Sequence, residues 1–216
     1  EHVHTEDCDH DHDDEVTEEE HVHTEDCTDS CCATEDSHSD EHVWLSVKNA
    51  IVVCQAICDQ ICALDAENAA IYQENTANYI QTLQDLDIAY ETMVESAARD
   101  TVIFADRFPF LYMMNDYGVN YYAAFQGCSA ETEASFETIV FLANKVDELN
   151  ANYLIIIDNG LEDLATTVAS NSQKQDCEIL VLNSMQSITK DLIDNGTTYL
   201  SIMQENLDVL TLALSE

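Results

Sequence analysis

All eight histidines of the 216-residue chain fall within its first 42 residues, at His2, His4, His10, His12, His21, His23, His38 and His42. The same stretch holds 18 of the 44 acidic residues and four of the nine cysteines, and it has no Lys or Arg. Imidazole is the commonest borderline metal ligand, and carboxylates and thiolates complete such sites. Side chains of these types at this density collect divalent cations. Most of the histidines come as His-x-His, not in the Cys-x2-Cys and His-x3-His spacing of a zinc finger. That spacing predicts several exchangeable sites working through local concentration, not one rigid cage. The octet Glu1-His2-Val3-His4-Thr5-Glu6-Asp7-Cys8 recurs word for word from Glu20 to Cys27, and Glu41-His42-Val43-Trp44 begins a partial third copy. A solvating acidic arm or an expression tag is the competing reading, and a duplicated octet is not tag-like.

The remaining residues set limits on that chemistry. The formal net charge is −38, with only Lys48, Arg99, Arg107, Lys145, Lys174 and Lys190 on the positive side. Such a field repels nucleic acid and anionic membrane surfaces and concentrates cations. Adaptation to high salt, or plain solubility, accounts equally well for the acidity outside the opening stretch. No run approaches the roughly 20 apolar residues of a membrane span. Residues 43–216 contain no histidine, so no Ser-His or Cys-His pair can form there, and four glycines make no phosphate-cradling loop. Catalysis is not expected. Cys54, Cys58 and Cys62 recur every fourth residue on one helix face, either as a thiolate triplet or, more commonly for such residues, as small apolar core side chains.

The elements that must position these groups begin where the charged stretch ends. Residues 1–40 have almost nothing to bury, and they read as a disordered His/Asp/Glu-rich amino-terminal tail in the absence of metal. Ser46 is suited to cap a helix running to about Leu64, and Asp65 to cap the next. Tyr72, Thr76, Tyr79, Leu83, Leu86, Tyr90, Met93 and Ala97 form one seam along that second helix, read over Ala66–Ala97, which would be on the order of 45–50 Å long. Four apolar runs follow at Thr101–Ala105, Val119–Phe125, Tyr153–Ile157 and Glu178–Leu182. Helical patterns alternate with them at about Phe110–Asp116, Glu131–Leu149 and Leu161–Ser170, and an amphipathic helix closes the chain at about Thr197–Leu214. The fold class is therefore α/β, a parallel four-stranded sheet flanked by helices. Three parts follow: the tail at 1–40, a helical segment at 41–98 and an α/β lobe at 99–216. Ligands of such sheets gather at the carboxyl ends of the strands. On this reading those ends are Asp106 and Arg107, Gln126 to Ser129, Asp158 and Asn159, and Asn183 to Gln186.

One segment is more specific than any of this. Asp40-Glu41-His42-Val43-Trp44-Leu45-Ser46-Val47-Lys48-Asn49-Ala50 resembles the D-x-H-x-W-L-S-x-K-N-A signature of the zinc and manganese solute-binding proteins of ABC uptake systems. Phe108-Pro109-Phe110 with Asp116-Tyr117-Gly118, Ser129-Ala130-Glu131-Thr132-Glu133-Ala134-Ser135, and Thr198-Tyr199-Leu200-Ser201-Ile202-Met203 follow in family order, so the likeness covers about residues 40–214. It implies two α/β lobes joined by one long rigid helix, with metal held between them and a His- and acid-rich loop upstream of the motif. This chain looks like that loop, the linking helix and the carboxyl-terminal lobe, without the amino-terminal lobe and its histidine.

The same resemblance assigns roles. It places His42 on the family's ligand histidine, where the residues alone would equally allow a packing or capping histidine beside Trp44. Asp106 stands near the position of the next ligand, as an oxygen donor or as the partner of Arg107. Asn183 stands where the family has a carboxylate and offers a neutral carbonyl oxygen. Asp158, at the end of the third strand, either turns into the cleft or remains a loop carboxylate. The implied function is extracytoplasmic capture of a divalent metal, zinc first and manganese second, by a monomer that delivers it to the membrane subunit of an ABC permease. A metal buffer or chaperone, with the tail as binder and the lobe as platform, is the alternative.

Overall fold

In the computed structural model, residues 40–127 and 134–215 are described. The tail histidines His2, His4, His10, His12, His21, His23 and His38, and the disorder expected of the tail, lie outside the described residues. From Asp40 the chain makes one 3-10 turn at Val43–Leu45. Ser46 then ends that turn and starts a helix. Its backbone is extended and its side-chain oxygen accepts the Asn49 N–H at 2.9 Å, as expected of a cap. Helix α1 (Val47–Leu64) and helix α2 (Ala69–Ser96) form a hairpin across Asp65 and the short 3-10 turn Ala66–Asn68.

The 28 residues of α2 reach roughly 42 Å at 1.5 Å per residue. Its expected seam is buried in one half only. Leu83, Leu86, Tyr90 and Met93 are core, whereas Tyr72 and Thr76 are half-buried and Tyr79 is exposed. The second half leans on the lobe, and the first half has α1 beside it. By length and composition α1 would qualify as a membrane span, contrary to the expectation from sequence. It packs along α2 and gives Val47, Ala50, Ile51 and Cys54 to the lobe's core.

Four parallel strands follow, β1 (Thr101–Phe108), β2 (Asn120–Gln126), β3 (Tyr153–Ile157) and β4 (Glu178–Leu182), in the order β2-β1-β3-β4. Between them stand α3 (Leu111–Tyr117), α4 (Phe136–Glu148) and α5 (Glu162–Asn171). After β4 come α6 (Lys190–Asp194), a single turn that the sequence reading lacks, and α7 (Tyr199–Ala213). Alternation along the strands sorts their side chains into two cores. Val102, Phe104, Ile155 and Ile157 face α2, α3 and α7, while Ile103, Ala105, Leu154 and Ile156 face α4 and α5.

Strand β1 differs most from expectation. It continues to Phe108, so Asp106 and Arg107 lie inside it and not beyond its end. Its pairing with β2 slips between Phe104 and Arg107. An extra residue in one strand of this kind re-aims a side chain, and the slip falls at Asp106. The chain leaves β1 toward β2 on one side and reaches β3 on the other, so the crevice between β1 and β3 is the topological switch point where such sheets bind ligands.

Candidate metal centre

His42 is 1% exposed, which an imidazole tolerates only with partners. Asp40 is one of them. One of its carboxylate oxygens accepts both the His42 backbone N–H and the ring Nδ1–H, each at 2.8 Å. In a neutral ring, donation from Nδ1 puts the lone pair on Nε2. The Trp44 ring meets His42 edge-on with centroids 5.3 Å apart, which limits how far the imidazole can turn.

Asp40, Trp44, Ser46 and Lys48 then tie the segment to the rest of the fold. The Tyr112 hydroxyl on α3 donates to the Asp40 carbonyl at 2.8 Å. The Trp44 indole donates to the Ser184 carbonyl just past β4 at 3.1 Å, and the Tyr199 hydroxyl on α7 donates to the Trp44 carbonyl at 2.9 Å. Ser46 donates to Asp116 at the end of α3, and the Lys48 ammonium sits between Asp87 and Glu91 of α2. Residues 40–48 thus lie across the carboxyl end of the sheet, moored on both sides. Tyr112 was not named from the sequence, and Asp116, Ser184 and Tyr199 were named there only as members of longer segments, with no role. Each reaches the motif from more than 60 residues away, and no local pattern carries that.

The other expected ligands have different surroundings. Asp106 is fully buried. One oxygen accepts the Arg107 N–H at 2.7 Å and lies 3.5 Å from its guanidinium Nε, while the other accepts the N–H groups of Ile157 at 3.2 Å and Leu161 at 2.9 Å. Its carboxylate closes the crevice between β1 and β3 from within. Gly160 makes this possible, since a Cβ there would stand 1.9 Å from the carboxylate and 2.6 Å from the Ile157 carbonyl. The Arg107 partnership that competed with the ligand role is therefore present as an ion pair, and three backbone N–H groups occupy three of the four lone-pair sites of Asp106.

Asp158 turns toward β4, where one oxygen accepts both the Ser184 N–H at 2.6 Å and its hydroxyl at 2.7 Å. The Asn183 side-chain oxygen folds back onto the Met185 N–H at 2.8 Å. Its backbone is bracketed by Asn206, which accepts the Asn183 N–H at 2.8 Å and donates to its carbonyl at 2.9 Å. Asn206 is 1% exposed on the apolar face of α7. A polar residue at a helical core position was the signal that could have drawn attention to it. Asp158 and Asn183 are gathered near Trp44 through Ser184. No three His, Cys, Asp or Glu side chains converge among the described residues.

Residues 1–213 match the family described as the periplasmic component A of the zinc-uptake complex. The chain belongs to this family. Among its relatives is the zinc-binding protein AdcA of Streptococcus pyogenes serotype M18, 29% identical over 182 residues, which cover 83% of this chain and 34% of that protein. Another is the high-affinity zinc uptake system protein ZnuA of Bacillus subtilis, 32% identical over 175 residues, covering 81% and 53%. The crystal structure of the Zn(II)-bound ZnuA-like domain of Streptococcus pneumoniae AdcA superimposes with a TM-score of 0.67 at 29% identity, over 82% of this chain and 64% of that one. The metal-dependent lipoprotein YcdH from Bacillus subtilis gives 0.70 at 30% identity, over 81% and 64%. The chain spans about a third to a half of the length of these curated relatives. The parallel sheet with flanking helices is the fold it shares with the family's solved members.

Proposed function

We propose that this chain captures zinc outside the cytoplasm for an ABC-type uptake permease, as a binding protein and not a catalyst. His42 is its ligand from this lobe. One observation carries the reading: a buried imidazole braced through Nδ1 by Asp40, in a segment moored to both sides of the sheet's carboxyl end. That is how proteins fix the tautomer of a metal-bound histidine. Family membership and zinc-binding relatives support the metal, and the family's periplasmic description supports the location. Zinc usually takes four ligands, and His42 supplies one of them. Asp106 and Asp158 serve as struts on this reading, and Asn183 as the anchor of its own loop.

The test follows the His42 imidazole resonances of the whole chain during a zinc titration, assigned by their absence in His42→Ala. Zinc should move them, and Asp40→Ala should weaken that response by roughly 10–100-fold, the usual loss when a ligand's outer partner goes. His42 resonances unmoved at zinc levels that saturate the chain would overturn the assignment.

A second reading, the metal buffer, is favoured by the lack of any three converging His, Cys, Asp or Glu side chains among the described residues, while seven histidines precede His42. Replacing those seven by alanine separates the two. Zinc retained at His42 supports capture by the lobe, and loss of all binding supports the buffer.

A further inference from the structure

Away from His42, the hairpin of α1 and α2 holds a second group of metal-binding character. Cys54, Cys58 and Cys62 are all free thiols, Cys58 buried and the others half-buried. The Cys58 and Cys62 sulfurs stand 3.9 Å apart. Two thiolates on one tetrahedral ion of zinc's size, each at about 2.3 Å, are themselves about 3.8 Å apart. The pair is therefore already at the spacing that a bound ion imposes. The Ala69 carbonyl oxygen lies 3.6 Å from the Cys62 sulfur, and Asp59 adds negative potential there.

Other uses of the pair fit less well. Side chains one helical turn apart have their Cβ atoms about 5–6 Å apart, whereas a disulfide needs about 3.5–4.5 Å. A regular helix at this point therefore opposes oxidation to a disulfide. Nor is Cys62 an activated nucleophile, because partial burial, its hydrogen bond to Cys58 and the negative charge of Asp59 all push its thiol up. What remains is a pair of adjoining thiols beside the negative charge of Asp59. It favours a cation soft enough to displace both protons and does little for a hard one.

We propose that Cys58 and Cys62 form a two-thiol site for a soft, thiophilic divalent cation, independent of the His42 centre. Cys54, one turn earlier on the same face, lies outside the pair. The occupant class is zinc and its softer congeners, with cadmium as the probe.

The test uses the whole chain, with cadmium in excess over its nine cysteines, followed by brief alkylation and peptide mapping. Each cysteine is read separately, so the tail thiols do not obscure the result. Cadmium should slow alkylation of Cys62 at least about fivefold while leaving Cys177, a lone half-buried thiol, at its metal-free rate. In Cys58→Ser that protection should disappear. If the variant loses helical circular dichroism, Cys58→Ala, which keeps the buried position apolar, is read in its place. Unprotected Cys62 in the parent chain, or full protection that persists without Cys58, would overturn the paired site.

Discussion

His42 and Asp106 are equally buried and both stand at the carboxyl end of the sheet, yet they are held in different ways. Asp40 grips the imidazole through one ring nitrogen. The Asp106 carboxylate accepts three backbone N–H groups and faces a guanidinium besides. Burial of a polar group therefore does not identify a ligand. What differs is the kind of partner: a neighbouring carboxylate orients the imidazole through Nδ1, whereas backbone N–H groups fix the carboxylate inside the strand. The predictions below test whether the first arrangement serves metal binding and the second stability.

The largest effect is expected at high pH. Burial pushes the Tyr90, Tyr117 and Tyr199 hydroxyls well above the usual phenol range, and the Asp87 carboxylate that accepts the Tyr117 hydroxyl adds to its shift. Their folded-state values lie above the unfolded value of about 10, so the stability they add is intact below that pH and is lost as pH rises beyond it. Tyr199 holds the Trp44 carbonyl, and Tyr117 stacks on Tyr90 beneath Lys48. The motif segment should loosen first and the whole lobe should then unfold, with phenolate absorbance rising together with loss of helix. Ionisation of all three near pH 10 with the fold intact would show that these hydroxyls are not buried supports.

Next in size is Asp106→Ala. It leaves Arg107 without its counter-ion and the N–H groups of Ile157 and Leu161 without an acceptor, a loss of about 3–5 kcal/mol for a broken buried pair. In a lobe of this size that lowers Tm by roughly 10 °C. The zinc response at His42, measured well below the new Tm, should be little changed. A stable Asp106→Ala protein with weakened zinc binding would reverse the division and make Asp106 a ligand.

Ser46→Ala should cost less, about 2 kcal/mol, from the lost cap of α1 and the lost hydrogen bond to Asp116. Denaturant unfolding measures it. A change below about 0.5 kcal/mol would mean that the segment is held by its aromatic residues alone.

Sequence carried part of this picture. Strands β3 and β4 were legible to the residue because β3 is a five-residue apolar run and β4 a four-residue one behind Glu178. Asp158 and Asn183 were correctly placed past their ends. Strand β1 was cut three residues short because the charges of Asp106 and Arg107 read as a loop, and only a three-dimensional partner for each makes them tolerable inside a strand. The motif pointed to His42, and Tyr199 and Ser184 fell within segments marked by the likeness and by a strand end, but their contacts with the motif, and Tyr112 altogether, have no sequence signal, since a hydroxyl or carbonyl meeting the motif across the fold follows no period. The short helix α6 lacked an apolar face to announce it.

The smallest effect, and the sharpest test of the motif, is expected for Trp44→Phe. The ring edge against His42 is largely kept, while the indole N–H that reaches the Ser184 carbonyl is removed. Ser184 is itself fixed by Asp158, so this hydrogen bond is the route by which the end of β4 restrains the ligand segment. A hydrogen bond of this kind is worth about 0.5–1.5 kcal/mol net. Only part of that constrains the imidazole, so zinc binding at His42 should weaken by about 2–5-fold. Asp158→Ala should give a similar change, because it acts through the same serine, and the two together should be less than additive. Independent effects, with the double variant showing their full product, would mean that the loop after β4 braces the lobe without restraining His42. A Trp44→Phe loss as large as that of Asp40→Ala would mean that the indole, and not the carboxylate, sets the imidazole's orientation.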